Sequence, residues 1–394
     1  MKRKLLIIAN NNIGSGQSGG DTIFLEFIKN WQKYLDITVF GSEETKNLLK
    51  RYQLNSHFIQ TDKSNPNNSP TIKNLIVHTI RRNLYGKIAF LKNIKTFKKS
   101  DYCYTVSDFS PDFNFGLLYK IVNPHGTWLC GQYLFAPKPG TRFSPYQHQA
   151  IKGFLYYSSQ ILSHFLAQSF ADQILITSEP DRSRFPDKKI IVVQGGVDTT
   201  ESNKYLNLGK IKEVSKRQFD AVFQGRLHSQ KGVLELVDIW KLVIKKMPLA
   251  KLAIIGDGQL EKELKSKIKK LKLDKSITLF GFKTGQEKYN IFKDSRIVVH
   301  PAIYDSGGMA AAEAMAWGLP GVSFDLEALE TYYPKGMIKS KNGDFNSFAQ
   351  NIIKLLNDKK LYRQTSSEAL DLINNVWDWS KRADRLRKQI FNEQ

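Results

Sequence analysis

Short runs of β-branched and leucine residues alternate with longer helical stretches from one end of the chain to the other. That alternation is the pattern of βαβ units, whose strands pair in parallel and need helices over both faces of the sheet. In the first half, strands are expected at Leu5–Ala9, Ile37–Phe40, Tyr102–Val106, Ile121–Asn123, Ile174–Thr177 and Ile190–Val193, with helices such as Thr22–Tyr34 and Phe154–Phe170. A polar stretch from Thr199 to Gln218 resets the pattern. The second half repeats it, with strands at Ala221–Phe223, Leu252–Ile255, Thr278–Phe280, Ile297–Val299 and Val322–Phe324. A chain of 394 residues is too long for one core and comfortable for two. The expected fold is therefore α/β, with two Rossmann-like doubly wound domains over 1–198 and 217–375 and a linker over 199–216. The last segment, 376–394, reads as an amphipathic helix (Trp377, Trp379, Ala383, Leu386, Ile390) that closes the fold and crosses back to the first domain.

No apolar run approaches the ~20 residues of a bilayer-spanning helix. Met1-Lys2-Arg3-Lys4 is followed by only five apolar residues, Leu5 to Ala9, so neither a span nor a signal peptide is expected and a cytoplasmic location is. Cys103 and Cys130 are the only cysteines and lack metal-ligand spacing, which argues against a disulfide framework and a thiolate zinc site. Lys and Arg number 59 against 37 Asp and Glu, a net charge of +22. Such a balance suits a polyanionic partner, whether nucleic acid, an anionic membrane or phosphorylated substrates, and composition alone does not choose among them.

The loops after the strands are more selective. Gly14, Gly16 and Gly19 satisfy G-x-G-x-x-G before a helix, the dinucleotide fingerprint. In that fingerprint the first glycine turns the chain straight off the strand, whereas Asn10-Asn11-Asn12-Ile13 intervene here, so a glycine loop facing a cleft is the leading reading and an NAD site its rival. In the second half Gly225-Arg226-Leu227 follows a strand, and Lys231-Gly232 opens the next helix. Two cations on a loop at the carboxyl edge of a parallel sheet can grip a diphosphate, or else sit solvated on the surface. After Ile297–Val299, the run Ser306-Gly307-Gly308-Met309 leaves backbone N–H groups free at a helix start, an anion site by orphan donors and macrodipole. Glu313 lies farther along that helix among Ala and Met, eight residues after Asp305, and a carboxylate in such a small, apolar helix points to function.

From these residues the chain resembles the retaining GT-B glycosyltransferases, specifically glycosyltransferase family 4. That family's last motif reads P-S-x-x-E-G-F-G-x-x-x-x-E-A-M-A-x-G-x-P, which Pro301, Gly308, Glu313-Ala314-Met315-Ala316, Gly318 and Pro320 match. Gly225-Arg226-Leu227 with Lys231-Gly232 looks like the family's phosphate loop, and Ile255-Gly256-Asp257-Gly258 like its next loop. Phe280-Gly281-Phe282 resembles its base-binding turn, Gly19-Gly20 its first glycine loop, and Pro124-His125-Gly126 the segment carrying a donor-side histidine. Gly196-Val197-Asp198 resembles the N-G-V-D that ends the first domain. Three departures stand out: Asp305 replaces the first motif glutamate, Ser306-Gly307-Gly308 replaces G-F-G, and Gly195 replaces the N-G-V-D asparagine.

The resemblance implies two domains facing across a cleft, the second holding a UDP- or GDP-linked sugar and the first holding a glycan or lipid-linked acceptor. It implies hexosyl transfer with retention of anomeric configuration and without cofactor, metal or nucleic acid. Asp305, His125, Arg226 and Lys231 are the implied catalytic residues. The implied donor contacts are Gly19, Gly20, Gly225, Arg226, Lys231, Gly256, Phe280, Gly281, Phe282, Ser306, Gly307, Gly308, Met309 and Glu313. A catalytically silent sugar-nucleotide-binding protein is the other reading. Residues 71–99 hold eight Lys and Arg without one Asp or Glu, interleaved with apolar residues at near-helical spacing. They read as a basic amphipathic surface for the inner face of an anionic membrane, or as a core-facing helix with a solvated side.

Overall fold

The computed structural model describes residues 2–12, 18–63, 72–139, 141, 150–209, 211–305 and 308–392. The chain folds into two compact units. The first holds Met1–Arg142, Tyr146–Gly195 and the C-terminal Ala383–Gln394; the second holds Gly196–Arg382. The boundary falls at Gly195/Gly196, inside the expected first domain, and the polar stretch expected as a linker contains a helix.

In unit 1 the order is β1 (Lys4–Ala9), α1 (Gly19–Trp31), β2 (Asp36–Gly41), α2 (Glu43–Arg51), β3 (His57–Gln60), α3 (Ile72–Lys92), α4 (Ile94–Lys99), β4 (Tyr102–Thr105), α5 (Ser110–Val122), β5 (Thr127–Gly131), α6 (Ala150–Phe170), β6 (Gln173–Ile176) and β7 (Lys189–Val192). The strands form one parallel sheet in the order β3-β2-β1-β4-β5-β6-β7. Order reverses beside β1, so α1 and α2 cover one face and the helices of the β3–β4, β4–β5 and β5–β6 crossovers cover the other. The strand expected at Ile121–Asn123 is the last turn of α5 instead. Its two β-branched residues continue a helix that Pro111 opens and whose Phe113, Phe115 and Tyr119 are buried. The strand comes next, where Trp128, Leu129 and Cys130 are sealed in the core.

Unit 2 runs α7 (Thr200–Asn207), β8 (Phe219–Gln224), α8 (Val233–Lys246), β9 (Leu252–Ile255), α9 (Glu261–Lys270), β10 (Ile277–Gly281), α10 (Gly285–Lys293), β11 (Ser295–His300), α11 (Met309–Met315), β12 (Gly321–Asp325), α12 (Glu327–Tyr332), β13 (Met337–Lys341), α13 (Phe345–Asn357), α14 (Lys359–Leu372) and α15 (Trp379–Phe391). Its sheet is parallel, in the order β10-β9-β8-β11-β12-β13. Trp240 anchors the core on one face; Trp317, Tyr333 and Trp377 anchor the other. The edge strands β3 and β13 have no counterpart in the expected set. A one-turn π-helix, Ile373–Trp377, breaks the final helical segment. Val197 N–H donates to the Trp377 carbonyl at 2.8 Å. The part of α15 from Ala383 onward packs on unit 1, where Trp31 Nε1–H donates to the Ala383 carbonyl at 2.8 Å and Phe391 meets Trp31 edge-on.

The basic stretch departs most from expectation. Six of its lysines, Lys73, Lys87, Lys92, Lys95, Lys98 and Lys99, are exposed as a basic surface requires, but the inward side is not an ordinary apolar one. Arg82 is fully buried against Glu44 and Asp62, and His78 is buried beside it, while the aliphatic residues of α3 face outward. Burial and the neighbouring Arg82 lower the His78 pKa to about 4, so the inward face carries one buried cation rather than two. Among the described residues, no helix is long and apolar enough to cross a membrane.

Candidate active site

In a parallel sheet every strand ends at the same edge, so the loops after β8, β9, β10 and β11 meet. Their close approach depends on glycine. Gly256 has φ +141°, and a Cβ there would stand 1.9 Å from the Gly225 carbonyl oxygen. Gly232 has φ +63°, and its Cβ would stand 1.9 Å from the Pro301 oxygen. Backbone bonds then tie the loops together: Gly225 N–H to Ile255 O at 3.0 Å, Leu227 N–H to Asp257 O at 2.7 Å, and Ile303 N–H to Gln230 O at 3.1 Å.

Two charged clusters sit on this edge. Lys231 Nζ donates to Asp305 Oδ2 at 2.6 Å, and His300 Nε2 lies 3.1 Å from the same oxygen. Burial alone would raise the Asp305 pKa, but the Lys231 ammonium and the His300 hydrogen bond outweigh it and hold the carboxyl well below the usual range. Asp305 is thus a fixed anion, and Lys231 shares its charge with it instead of offering it whole to a ligand. The second cluster is centred on Glu313, which accepts from Gln224 Nε2 at 2.8 Å and from Lys288 Nζ. Its side chain is 37% exposed, so it is open to a further partner. Arg226 is exposed on the loop after β8 and has no ion-pair partner among the described residues.

The structure therefore brings together most of the expected second-half residues. Gly225, Arg226, Lys231, Gly256, Gly281, Phe282, Asp305, Gly308, Met309 and Glu313 all occupy one edge of one sheet. The Phe280 ring turns inward, edge-on to Phe219 at 5.6 Å, whereas Phe282 is 66% exposed and alone of the pair offers a face to a ligand. Gly308 begins α11 against His300 and Tyr333. Ser306 and Gly307, and Gly14 and Gly16 of the glycine loop, lie outside the described residues. Three participants escape the sequence reading: His300, Lys288 and Gln224. His300 and Gln224 each end a strand, which is a usable signal; Lys288 is one Lys among many on the chain and nothing in its spacing marks it.

In unit 1, Gly19 and Gly20 open α1 after β1, where Ser18 and Asp21 form a reciprocal cap. His125 does not join them. It sits exposed in the turn before β5, hence at the amino edge of the sheet, opposite the glycine loop. The Pro-His-Gly likeness precedes the strand, so the chain places Gly131, Gln132 and Tyr133 where the carboxyl end of β5 emerges. Gln132 is fully buried there, with Oε1 unpartnered, and the Tyr133 hydroxyl lies 2.6 Å from that of Tyr104. Nearby Asp112 is raised to about 7 by burial, against the lowering hydrogen bonds from Ser107, Asn10 and Asn11. Among the described residues no group of three or more His, Cys, Asp or Glu could hold a metal.

Residues 208–371 match the model of the family Glycosyl transferases group 1. An uncharacterised glycosyltransferase of Haemophilus influenzae is 25% identical over 53% of this chain and 58% of its own. The UDP-Gal:alpha-D-GlcNAc-diphosphoundecaprenol alpha-1,3-galactosyltransferase of Escherichia coli is 27% identical over 50% of this chain and 53% of its own. The chain thus spans about half the length of the curated relatives it matches. Among solved structures, HepE of Anabaena in complex with UDP and glucose superposes with a TM-score of 0.70 over 99% of both chains, at 16% identity. Sucrose-phosphate synthase of Thermosynechococcus elongatus gives 0.73 over 100% of both, at 15%. The fold is accordingly the two-domain Rossmann-like architecture of the GT-B glycosyltransferases.

Proposed function

We propose that the chain is a glycosyltransferase that moves a hexose from a nucleoside-diphosphate sugar, UDP- or GDP-linked, to a glycan or lipid-linked acceptor with retention of anomeric configuration. The observation that carries this reading is the assembly of Lys231–Asp305–His300, Glu313 and the exposed Phe282 on one sheet edge, within the segment that matches the group 1 family. Support comes also from the relatives, one named for a UDP-galactose donor and a diphosphoundecaprenol-linked acceptor, and from HepE, which binds UDP and glucose.

In this mechanism Phe282 stacks on the base and Glu313 accepts hydrogen bonds from the ribose hydroxyls, with Lys288 and Gln224 holding its carboxylate in place. Arg226 is the main cation on the diphosphate, since Lys231 is already paired; the first backbone N–H groups of α11 add aligned donors. Asp305 meets the hexose. The bond from the anomeric carbon to the phosphate oxygen breaks, the acceptor oxygen bonds the same face of that carbon, and the acceptor proton passes to the departing diphosphate. Fixed donors of this kind stabilise a leaving diphosphate without a metal ion. Calorimetry with UDP, GDP and NAD, followed by a donor screen with early NMR of the released sugar, tests the reading. Heat from a nucleoside diphosphate, retained anomeric configuration and activity that survives EDTA are expected. Binding of NAD alone, or activity restored only by Mg²⁺ or Mn²⁺, would overturn it.

A further inference from the structure

Two helices of unit 1 are built inside out. On α3, Ile76, Val77, Ile80, Leu84, Ile88 and Leu91 follow the spacing of one helical face, and each is at least 50% exposed. The opposite face turns inward and, before Ala89 and Phe90 join the core near its C-terminal end, is polar or small: His78, Arg82 and Gly86 are buried, Arg82 completely. The same inversion recurs on α6, where Phe154, Leu155, Leu162 and Phe165 point out, at 46–66% exposure, while Gly153, Gln160, Ser163 and Ala167 are buried. Of the 22 exposed large apolar side chains among the described residues, seven lie on α3 and seven on α6. Single exposed apolar residues need no explanation, but a concentration like this one does.

Both helices lie on one face of the sheet. They flank α5, which the Asn114–Asn83 and Asn83–Ser110 hydrogen bonds fasten to α3 and the stacked rings of Phe109 and Tyr156 fasten to α6. Their inner sides are committed as well. Arg82 is paired with Glu44, and Gln160 Nε2 donates to Asp108 at 2.8 Å and to Leu134 O at 2.7 Å, so neither helix can roll its apolar face inward without stranding a buried polar group.

We infer that α3 and α6 form a single face that docks in the interface of an anionic lipid bilayer, with their apolar side chains among the acyl chains. Charge selects this occupant over a protein partner. Lys73, Lys87, Lys92, Lys95, Lys98 and Lys99 are exposed on α3 and α4, and no Asp or Glu occurs anywhere on α3, α4 or α6. Each of the two long helices has 21 residues and an inner face that holds buried polar side chains, which suits lying in the plane of the interface and not crossing it. Insertion, rather than lysine attraction alone, then sets the affinity, and α6, with one Lys and no acid, contributes through insertion.

The test is co-sedimentation of the full chain with equimolar phosphatidylglycerol–phosphatidylcholine vesicles and with pure phosphatidylcholine vesicles. Two paired variants are compared, L84D with I88D on α3 and L155D with L162D on α6; all four sites are exposed, so folding is retained and is checked by circular dichroism. Strong binding to the acidic vesicles is expected, weakened but not abolished by high salt, with each pair lowering the partition at least about tenfold. Failure of the wild-type chain to bind acidic vesicles, or wild-type binding by the α6 pair, would overturn the inference. So would a solution dimer that either pair dissolves, since the face would then be covered by a second copy. UDP affinity, measured in parallel, reads the transferase proposal separately.

Discussion

Replacing Asp305 by Asn removes the charge that Lys231 and His300 share. The Asp305 side chain is 8% exposed and that of Lys231 20%, so the pair stands between an exposed one, worth ~0–1 kcal/mol, and a fully buried one, whose breakage costs ~3–5 kcal/mol. Water can rehydrate the partly exposed ammonium in the variant, which puts the expected loss of unit 2 stability at ~2–3 kcal/mol near pH 7. The pH dependence follows from the sign of the shift. Burial opposes ionisation of Asp305, yet Lys231 and His300 prevail and its folded pKa lies well below the ordinary 3.8. A depressed carboxyl adds stability that is complete above the unfolded value of ~3.9 and is lost as pH falls through the lower folded value. The gap between wild type and D305N should therefore be flat from about pH 8 to about pH 5 and close only below about pH 4. Urea unfolding followed by tryptophan fluorescence measures it, because Trp240, Trp317 and Trp377 are buried in unit 2; the two units are fitted as separate transitions. A gap under ~1 kcal/mol at pH 7, or one that closes between about pH 5 and 7, would refute the charge assignment. Under the proposed mechanism the same variant keeps or tightens its hold on UDP, because Lys231 is freed, while turnover drops at least ~100-fold.

Three further outcomes are expected. Gly256→Ala should destabilise unit 2 by ~2 kcal/mol or more, because its Cβ meets the Gly225 oxygen at 1.9 Å; a variant as stable as wild type would remove the close approach from the argument. Phe282→Ala should weaken UDP binding by about tenfold while leaving unfolding within ~0.5 kcal/mol, and unchanged affinity would take the ring out of the site. Asp112 is raised to about 7, so the stability its protonation lends unit 1 is whole below ~3.9 and drains away as pH rises to about 7. Asp112→Asn should flatten that decline without loss at neutral pH, since one oxygen already accepts both the Asn10 and Asn11 N–H groups and an amide nitrogen can face Ser107; an unchanged pH profile in urea unfolding would refute it.

The two-domain α/β plan was legible because its signal is local: apolar runs such as Leu5–Ala9 and Leu252–Ile255 are sealed between helices, and nearly every long one became a strand. The second-half site was legible for the same reason, since loops that leave the carboxyl ends of parallel strands must converge, and Gly225, Lys231, Asp305 and Glu313 are each read from a strand end and a spacing. What the sequence could not rank was direction and partnership. Ile121-Val122 reads as a strand start until the buried face of α5 claims it, and His125 fits a motif whose strand begins only after it, which puts it on the opposite edge of the sheet. Arg82 looks like one cation of a solvated row, but Glu44 and Asp62, about 38 and 20 residues away in sequence, draw it inward and turn the apolar side of α3 out. A helical period says that two faces differ and not which one is buried. That choice belongs to whichever distant groups satisfy the polar face, and the chain brings those groups together only when it folds.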